Sequence, residues 1–273
     1  QIFLKVAEKC YLPATRMFTE LVSRHPDFKV TFSLSGTFLE QAELYRPEVV
    51  KALQELLDAG RKRQQVELLD ETYYHSLTSL FEDPKKQEFR DQVSLHRERM
   101  RKVFGVFPTS FRNTELMYNN RIAEVVADMG YLSILCEKRD DMFTKREQSV
   151  SPNAVFRAKG TNLIVIPRNR DLSDDVAFRF PHQRISPDAY ARNIAKIDGE
   201  AVLLGYDYEH IGEHIWEEKG IFDFWKGVPE AFARHEAIVM ANPSEVARKF
   251  QDADCPILDI HDLSTSSWAD AGR

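Results

Sequence analysis

Short apolar runs that end in polar turns recur along this chain with helical stretches between them, and that alternation most restricts the folds open to it. Phe28 to Ser35 alternates Phe28, Val30, Phe32 and Leu34 and reads as a strand. Val66 to Leu69, Ser110 to Arg112, Tyr131 to Leu135, Leu163 to Ile166 and Ala201 to Leu204 read the same way, and Ile238 to Met240 is a last short apolar run. Between them, Gln1 to His25 has helical spacing interrupted at Pro13, Phe38 to Ala59 is a helix closed by Gly60, and a charged helix spans about Glu88 to Phe104 before Gly105. Ile122 to Met129 is helical and closed by Gly130, and Ser186-Pro187 and Asn242-Pro243-Ser244-Glu245 read as helix starts. Strand and helix in turn predict a parallel α/β sheet or barrel. With no internal repeat and no low-complexity linker, one domain over residues 1–273 is the simplest division.

In such folds the C-terminal ends of the strands form the mouth of the site. Four of these ends carry ionisable side chains: Asp70, Glu71 and His75; Glu115; Asp171, Asp174 and Asp175; and the dense stretch Asp207, Glu209, His210, Glu213 and His214. The simplest role for any one of these acids is to cap a helix or pair with Arg112, Arg168, Arg170 or Arg179. Taken together on one rim they offer another chemistry. Two carboxylates facing each other across a cleft can cleave a glycosidic bond, one attacking the sugar carbon and the other protonating the leaving oxygen. Tyr73, Tyr74, Tyr118, Tyr206, Tyr208 and Trp216 could offer flat platforms to sugar rings, with Trp216 the preferred one and ordinary core packing the alternative for the rest.

Other function classes are harder to reconcile with the chain. A net charge of −6, with basic residues scattered, argues against a nucleic-acid partner, and Arg61-Lys62-Arg63 reads as a solvated helix end. Cys10, Cys136 and Cys255 are far apart and in no C-x-x-C pair, so neither a disulfide framework nor a cysteine zinc cage is expected. No apolar run approaches a membrane span and Gln1 opens without a signal peptide, so a cytoplasmic setting off the membrane is the expectation. One metal pattern does occur. His210-Ile211-Gly212-Glu213-His214 satisfies H-x-x-E-H, in which two histidines one helical turn apart bind zinc and the glutamate activates water; Gly212 weakens the helix this needs.

Phe111-Arg112-Asn113-Thr114-Glu115-Leu116 with Tyr118-Asn119, followed by Asp207-Tyr208-Glu209 and Gly212-Glu213-His214, closely resembles the catalytic blocks of glycoside hydrolase family 57, in its α-amylase-type branch. Further blocks are similar in order along the chain: Val6 to Pro13, Phe32 to Gly36, Leu39 to Gln41, Glu71 to Leu77, Leu172 to Asp175, Phe178 to Phe180 and Pro243 to Glu245. The resemblance implies an incomplete (β/α)7 barrel whose first strand is missing, retaining chemistry on α-1,4-glucans or maltooligosaccharides, and no metal or organic cofactor. By position, Glu115 matches the nucleophile and Asp207 the general acid/base, with His75, Arg112, Tyr208, His210, His214 and Trp216 as substrate-binding candidates. Retaining chemistry sets a carboxyl separation of about 5–5.5 Å. The chain departs from the family pattern at His210, Ile211, Ile215, Cys136, Lys138 and around Gln64-Gln65, which bears on the subsites rather than on the two acids. An N-terminal His-Gln-Pro block has no counterpart, and Ser267-Trp268-Ala269-Asp270 resembles the opening of a further helical segment, so truncation at both ends is expected. Beside α-amylase-like hydrolysis stand 4-α-glucanotransferase or branching-type transfer, a non-catalytic glucan-binding remnant, and the zinc hydrolase of His210, Glu213 and His214.

Overall fold

The structure is a computed structural model that describes residues 1–138, 151 and 153–268. Its strands are β1 (Val30–Ser33), β2 (Val66–Leu69), β3 (Ser110–Arg112), β4 (Ser133–Glu137), β5 (Phe156–Ala158), β6 (Ile164–Arg168) and β7 (Ile257–Leu258). β1 and β2 pair in parallel, with Val30 opposite Val66 and Ser33 opposite Leu69. β3, β4 and β6 form a second parallel run, with Ser110 opposite Ser133 and Ser133 opposite Ile164. A single parallel bridge between Asp70 and Phe111 joins the two groups, through Asp70 N–H to Ser110 O (3.1 Å) and Arg112 N–H to Asp70 O (2.9 Å). A second bridge, Arg168 to Leu203, extends the run beyond β6. The order β1, β2, β3, β4, β6, Leu203 is therefore parallel throughout, and the C-terminal ends of these strands fall on one rim.

β4 and β6 are buried along their whole length, which is why they read as unbroken apolar runs rather than alternating ones. The helices cover them with one apolar face each. Pro47–Arg61 buries Val49, Val50, Leu53, Leu56 and Leu57 at helical spacing. Helix starts are capped as the residue types require: Ser35 Oγ accepts from Phe38 N–H, Asn119 Oδ1 from Ile122 N–H, and Asn242 with Glu245 forms a capping box.

Several expected boundaries differ. The helix expected from Phe38 to Ala59 is two helices, Gly36–Tyr45 and Pro47–Arg61, because Pro47 restarts the chain after Arg46 leaves helical geometry (φ −155°). Gly60 lies inside the second helix rather than beyond it. A Cβ there would come within 2.7 Å of Val66 Cγ2, so the glycine serves the close approach of helix and β2. Pro13 does not break the first helical stretch. Ile2–Val6 passes through a π-helical turn, Ala7–Tyr11, into Leu12–Arg24, with Pro13 in its first turn. Pro167 sits within β6 opposite Cys136 instead of ending it, one residue from the strand's close. Ala201 to Leu204 is not a strand. Only Leu203 pairs, while Ala201 N–H donates to Asn153 O, away from the ladder. Ile238 to Met240 forms no strand either. β5, antiparallel to β6, and β7, beside β5, were not anticipated. Of the expected helical opening Ser267 to Asp270, Ala269 and Asp270 lie outside the described residues. Among the described residues no helix is long and apolar enough to cross a membrane.

Candidate active site

At the end of β2 the chain divides its two acids. Asp70 turns into the wall, while Glu71 turns toward the rim, buried, and accepts a hydrogen bond from Ser33 Oγ (3.1 Å). His75 Nδ1 lies 2.8 Å from the other Glu71 oxygen, and Arg112 Nη1 is 3.7 Å from the same atom. The far nitrogen of His75, Nε2, faces Glu115 Oε1 at 3.6 Å. Hydrogen bonding to Glu71 raises the His75 pKa above its ordinary value, against the opposing effect of burial. Burial alone would push the Glu71 carboxyl up, but His75 and Arg112 outweigh it and hold it below the usual carboxylate range.

This predicts an imidazolium at position 75 that persists above the ordinary histidine range near ~6.5. Its stabilising contribution is complete below that range and is lost as pH rises through the elevated native value. Glu71→Gln should lower the His75 midpoint in an NMR titration. An unchanged midpoint would show that Glu71 does not set its charge.

Glu115 follows β3 in a short turn with left-handed backbone (φ 55°, ψ 25°); Leu116 (φ 51°) and His75 (φ 52°) are left-handed as well. Such geometry costs on the order of 1–3 kcal/mol per non-glycine residue and persists only where neighbours enforce it. Here Asn113 Nδ2 donates to Ser79 Oγ (2.9 Å) and Met117 O (3.1 Å), and Thr114 Oγ1 meets Thr72 Oγ1 at 3.0 Å. A later segment adds a two-way backbone bridge between Tyr118 and Ser266 (3.0 and 2.9 Å) and a contact of Ser267 Oγ with Glu115 O at 3.4 Å. The turn leaves the Glu115 side chain 44% exposed, open to a substrate.

Asp207 lies four residues past the Leu203 bridge, exposed on the same C-terminal rim. The approach to it is anchored by buried Arg168, whose Nε donates to Gly205 O (2.6 Å) while its Nη atoms reach Glu137 (3.2 Å) and Asp174 (2.6 Å). Arg168 also stacks on the Trp268 ring at 4.4 Å. Burial raises the Glu137 pKa, against the lowering effect of Arg168. Asp174 and Asp175 are thus arginine partners, the latter of Arg179 (2.7 Å).

Beyond Asp207 the structure separates the other candidates. His210 is buried, with Nδ1 3.0 Å from Asp207 O and its ring against Phe178 (5.2 Å) and His214 (5.0 Å); burial lowers its pKa. His214 is exposed. Trp216 is 57% exposed with Lys9 Nζ 5.0 Å from its ring centre, so one face is covered by a cation. Tyr208 does not lie on the open rim. Its ring packs on Tyr11, Phe18 and Phe32, and its hydroxyl meets Thr15 Oγ1 at 2.8 Å. Tyr118 is fully buried, and Tyr73 bonds Glu40 (2.6 Å) under Gly36, leaving Tyr74 exposed beside His75. The helix needed by the zinc pattern does not form. Tyr208–His210 is a short 3-10 turn, Gly212 has φ 111°, and Glu213 is paired with Lys5. Among the described residues no group of three or more His, Cys, Asp or Glu is placed to hold a metal. Phe178, which covers His210, was not singled out as a site residue. An exposed aromatic in a helical turn carries no distinctive signal.

The profile of glycosyl hydrolase family 57 matches residues 1–260. The chain belongs to this family. A Methanocaldococcus jannaschii protein named provisionally as an alpha-amylase is 38% identical over all of this chain and 56% of its own length. The chain thus spans about half of that relative, and 39% of an alpha-amylase of Pyrococcus abyssi that is 24% identical over 97% of this chain. Among solved structures, the 4-alpha-glucanotransferase of Thermococcus litoralis superposes with a TM-score of 0.72 at 20% identity, covering 95% of this chain and 39% of that one. The family 57 branching enzyme of Pyrococcus horikoshii gives 0.72 at 14%, covering 98% and 68%. At these identities the likeness is one of fold.

Proposed function

We propose that this family 57 chain is the catalytic core of a retaining, α-amylase-like enzyme acting on α-1,4-glucans, folded as an incomplete (β/α)7 barrel. The observation that carries the reading is the strained, exposed Glu115 at the end of β3, set beside His75 on the rim that also bears Asp207. The family match and the amylase and glucanotransferase names of its relatives supply the substrate class.

Glu115 attacks the anomeric carbon and forms a glycosyl-enzyme while Asp207 gives its proton to the departing oxygen; Asp207 then takes a proton from the incoming acceptor. Held cationic by Glu71, His75 lies 3.6 Å from Glu115 and steadies the charge that redistributes during attack. Water as acceptor gives hydrolysis and a sugar hydroxyl gives transfer, through the same intermediate.

Incubation with maltooligosaccharides, followed by NMR of the first product anomer, tests this. Shorter glucans appearing first in the α configuration are expected, with turnover unchanged after chelation. A β-configured first product would overturn the retaining assignment. Activity that disappears with chelation and returns with zinc would put a metal mechanism in its place. The carboxyl carbons of Glu115 and Asp207 should lie about 5–5.5 Å apart in a ligand complex, and a separation near ~8 Å would indicate inversion instead.

A further inference from the structure

The Asp207 loop has its most extensive support not from the strands but from the start of the chain. Cys10 Sγ donates to Tyr208 O (3.2 Å), Thr15 Oγ1 meets the Tyr208 hydroxyl, and Tyr11 Oη donates to Glu209 Oε1 (2.5 Å). Lys5 pairs with Glu213, and Lys9 lies over Trp216. Gly212 rests directly on the Lys9 carbonyl, where a Cβ would come within 2.0 Å of the oxygen. Pro13 has no N–H to give that carbonyl, and the π-helical turn Ala7–Tyr11 ends two residues before it. Cys10 and Tyr11, both buried, come from this turn.

We propose that the π-helical turn is the seat of the Asp207 loop, with Tyr11 a positioning residue that acts through Glu209 to hold the Asp207 carboxyl in its working place. The contacts fall on the residues that follow Asp207, without touching its side chain: Tyr208 is held at its carbonyl and at its hydroxyl, and Glu209 is held at its carboxylate. An acid two residues from such a clamp inherits its precision, because a shift of about 1 Å at a catalytic group can cost on the order of a hundredfold in rate. The inference rests on the assignment of Asp207 proposed above.

Tyr11→Phe removes one hydroxyl and keeps the ring packed on Phe38 and Tyr208. Amide hydrogen exchange over residues 208–216 should quicken roughly tenfold, and kcat on maltooligosaccharides should fall roughly tenfold with KM within about twofold. The limb of the pH profile that reports the general acid should move as well. Exchange at the native rate, or faster exchange with kcat unchanged, would overturn the proposal. Gly212→Ala is a second probe, expected to free the same segment through its clash with Lys9. If the native chain and Asp207→Asn turn over glucan equally, the Asp207 assignment fails, whereas native exchange over 208–216 in Tyr11→Phe refutes the clamp itself.

Discussion

Replacing Glu115 by glutamine should reduce glucan turnover by at least ~10³-fold, an increase of about 4 kcal/mol in the barrier. The amide cannot attack the anomeric carbon, so no glycosyl-enzyme accumulates, while the side chain keeps its size and its place in the left-handed turn. Asp207→Asn should fall as far on natural glucans but not on a substrate whose leaving group needs no proton. There, glycosyl-enzyme formation should persist and its hydrolysis should become limiting. His214→Ala, at an exposed ring, should act mainly on KM, whereas His210→Ala, which removes the buried ring held against Asp207 O, should lower kcat as well. Steady-state kinetics with maltooligosaccharides and an activated aryl glycoside separate these cases. Turnover by Glu115→Gln within tenfold of the native rate would remove Glu115 from the mechanism.

The second large effect is structural. Asp70, fully buried, accepts from Tyr131 Oη (2.6 Å) and Arg97 Nε (3.4 Å) and pairs with His96 Nδ1. The other His96 nitrogen faces Leu34 O at 2.7 Å, and a carbonyl only accepts, so both ring nitrogens donate and the ring is an imidazolium. Burial works against that charge, but Asp70 overcomes it and raises the His96 pKa. Asp70→Asn would strand a buried cation and turn an N–H toward a donor. Loss of one partner from a buried pair costs on the order of 3–5 kcal/mol. For a chain of this size that lowers Tm by roughly 10 °C. The native contribution of His96 is complete below its unfolded pKa near ~6.5 and fades as pH rises through the raised native value, so the gap between native and Asp70→Asn stability should narrow at alkaline pH. Denaturant unfolding across pH checks this; a loss under ~1 kcal/mol at neutral pH would show the pair to be replaceable.

Asp70 and Glu71 also show how far the sequence could be read. Both were visible as rim acids after β2, but successive side chains leave a strand on opposite faces, and which face meets solvent depends on the helix carrying His96. The doubly buried β4 and β6 were legible because each presents an unbroken apolar run. Ala201 to Leu204 presents the same run, yet Ala201 N–H finds Asn153 O and only Leu203 joins the ladder. β5 and β7 are too short, at three and two residues, to impose a pattern. Family resemblance marked the Asp207 block, whereas the turn at Ala7–Tyr11 leaves no periodic trace, so the contacts of Tyr11 and Cys10 on that block had to be seen in three dimensions.

The bridge between Tyr118 and Ser266 has a consequence for the order of events during synthesis. The turn carrying Glu115 leaves the ribosome well before its last support does, since about 150 residues separate the bridge partners and closing so long a loop must await their arrival. The helices and parallel strands around it have mostly nearer partners. The nascent chain can therefore assemble its scaffold first and lock the Glu115 turn last, so that the strained backbone is imposed on a framework already able to bear it.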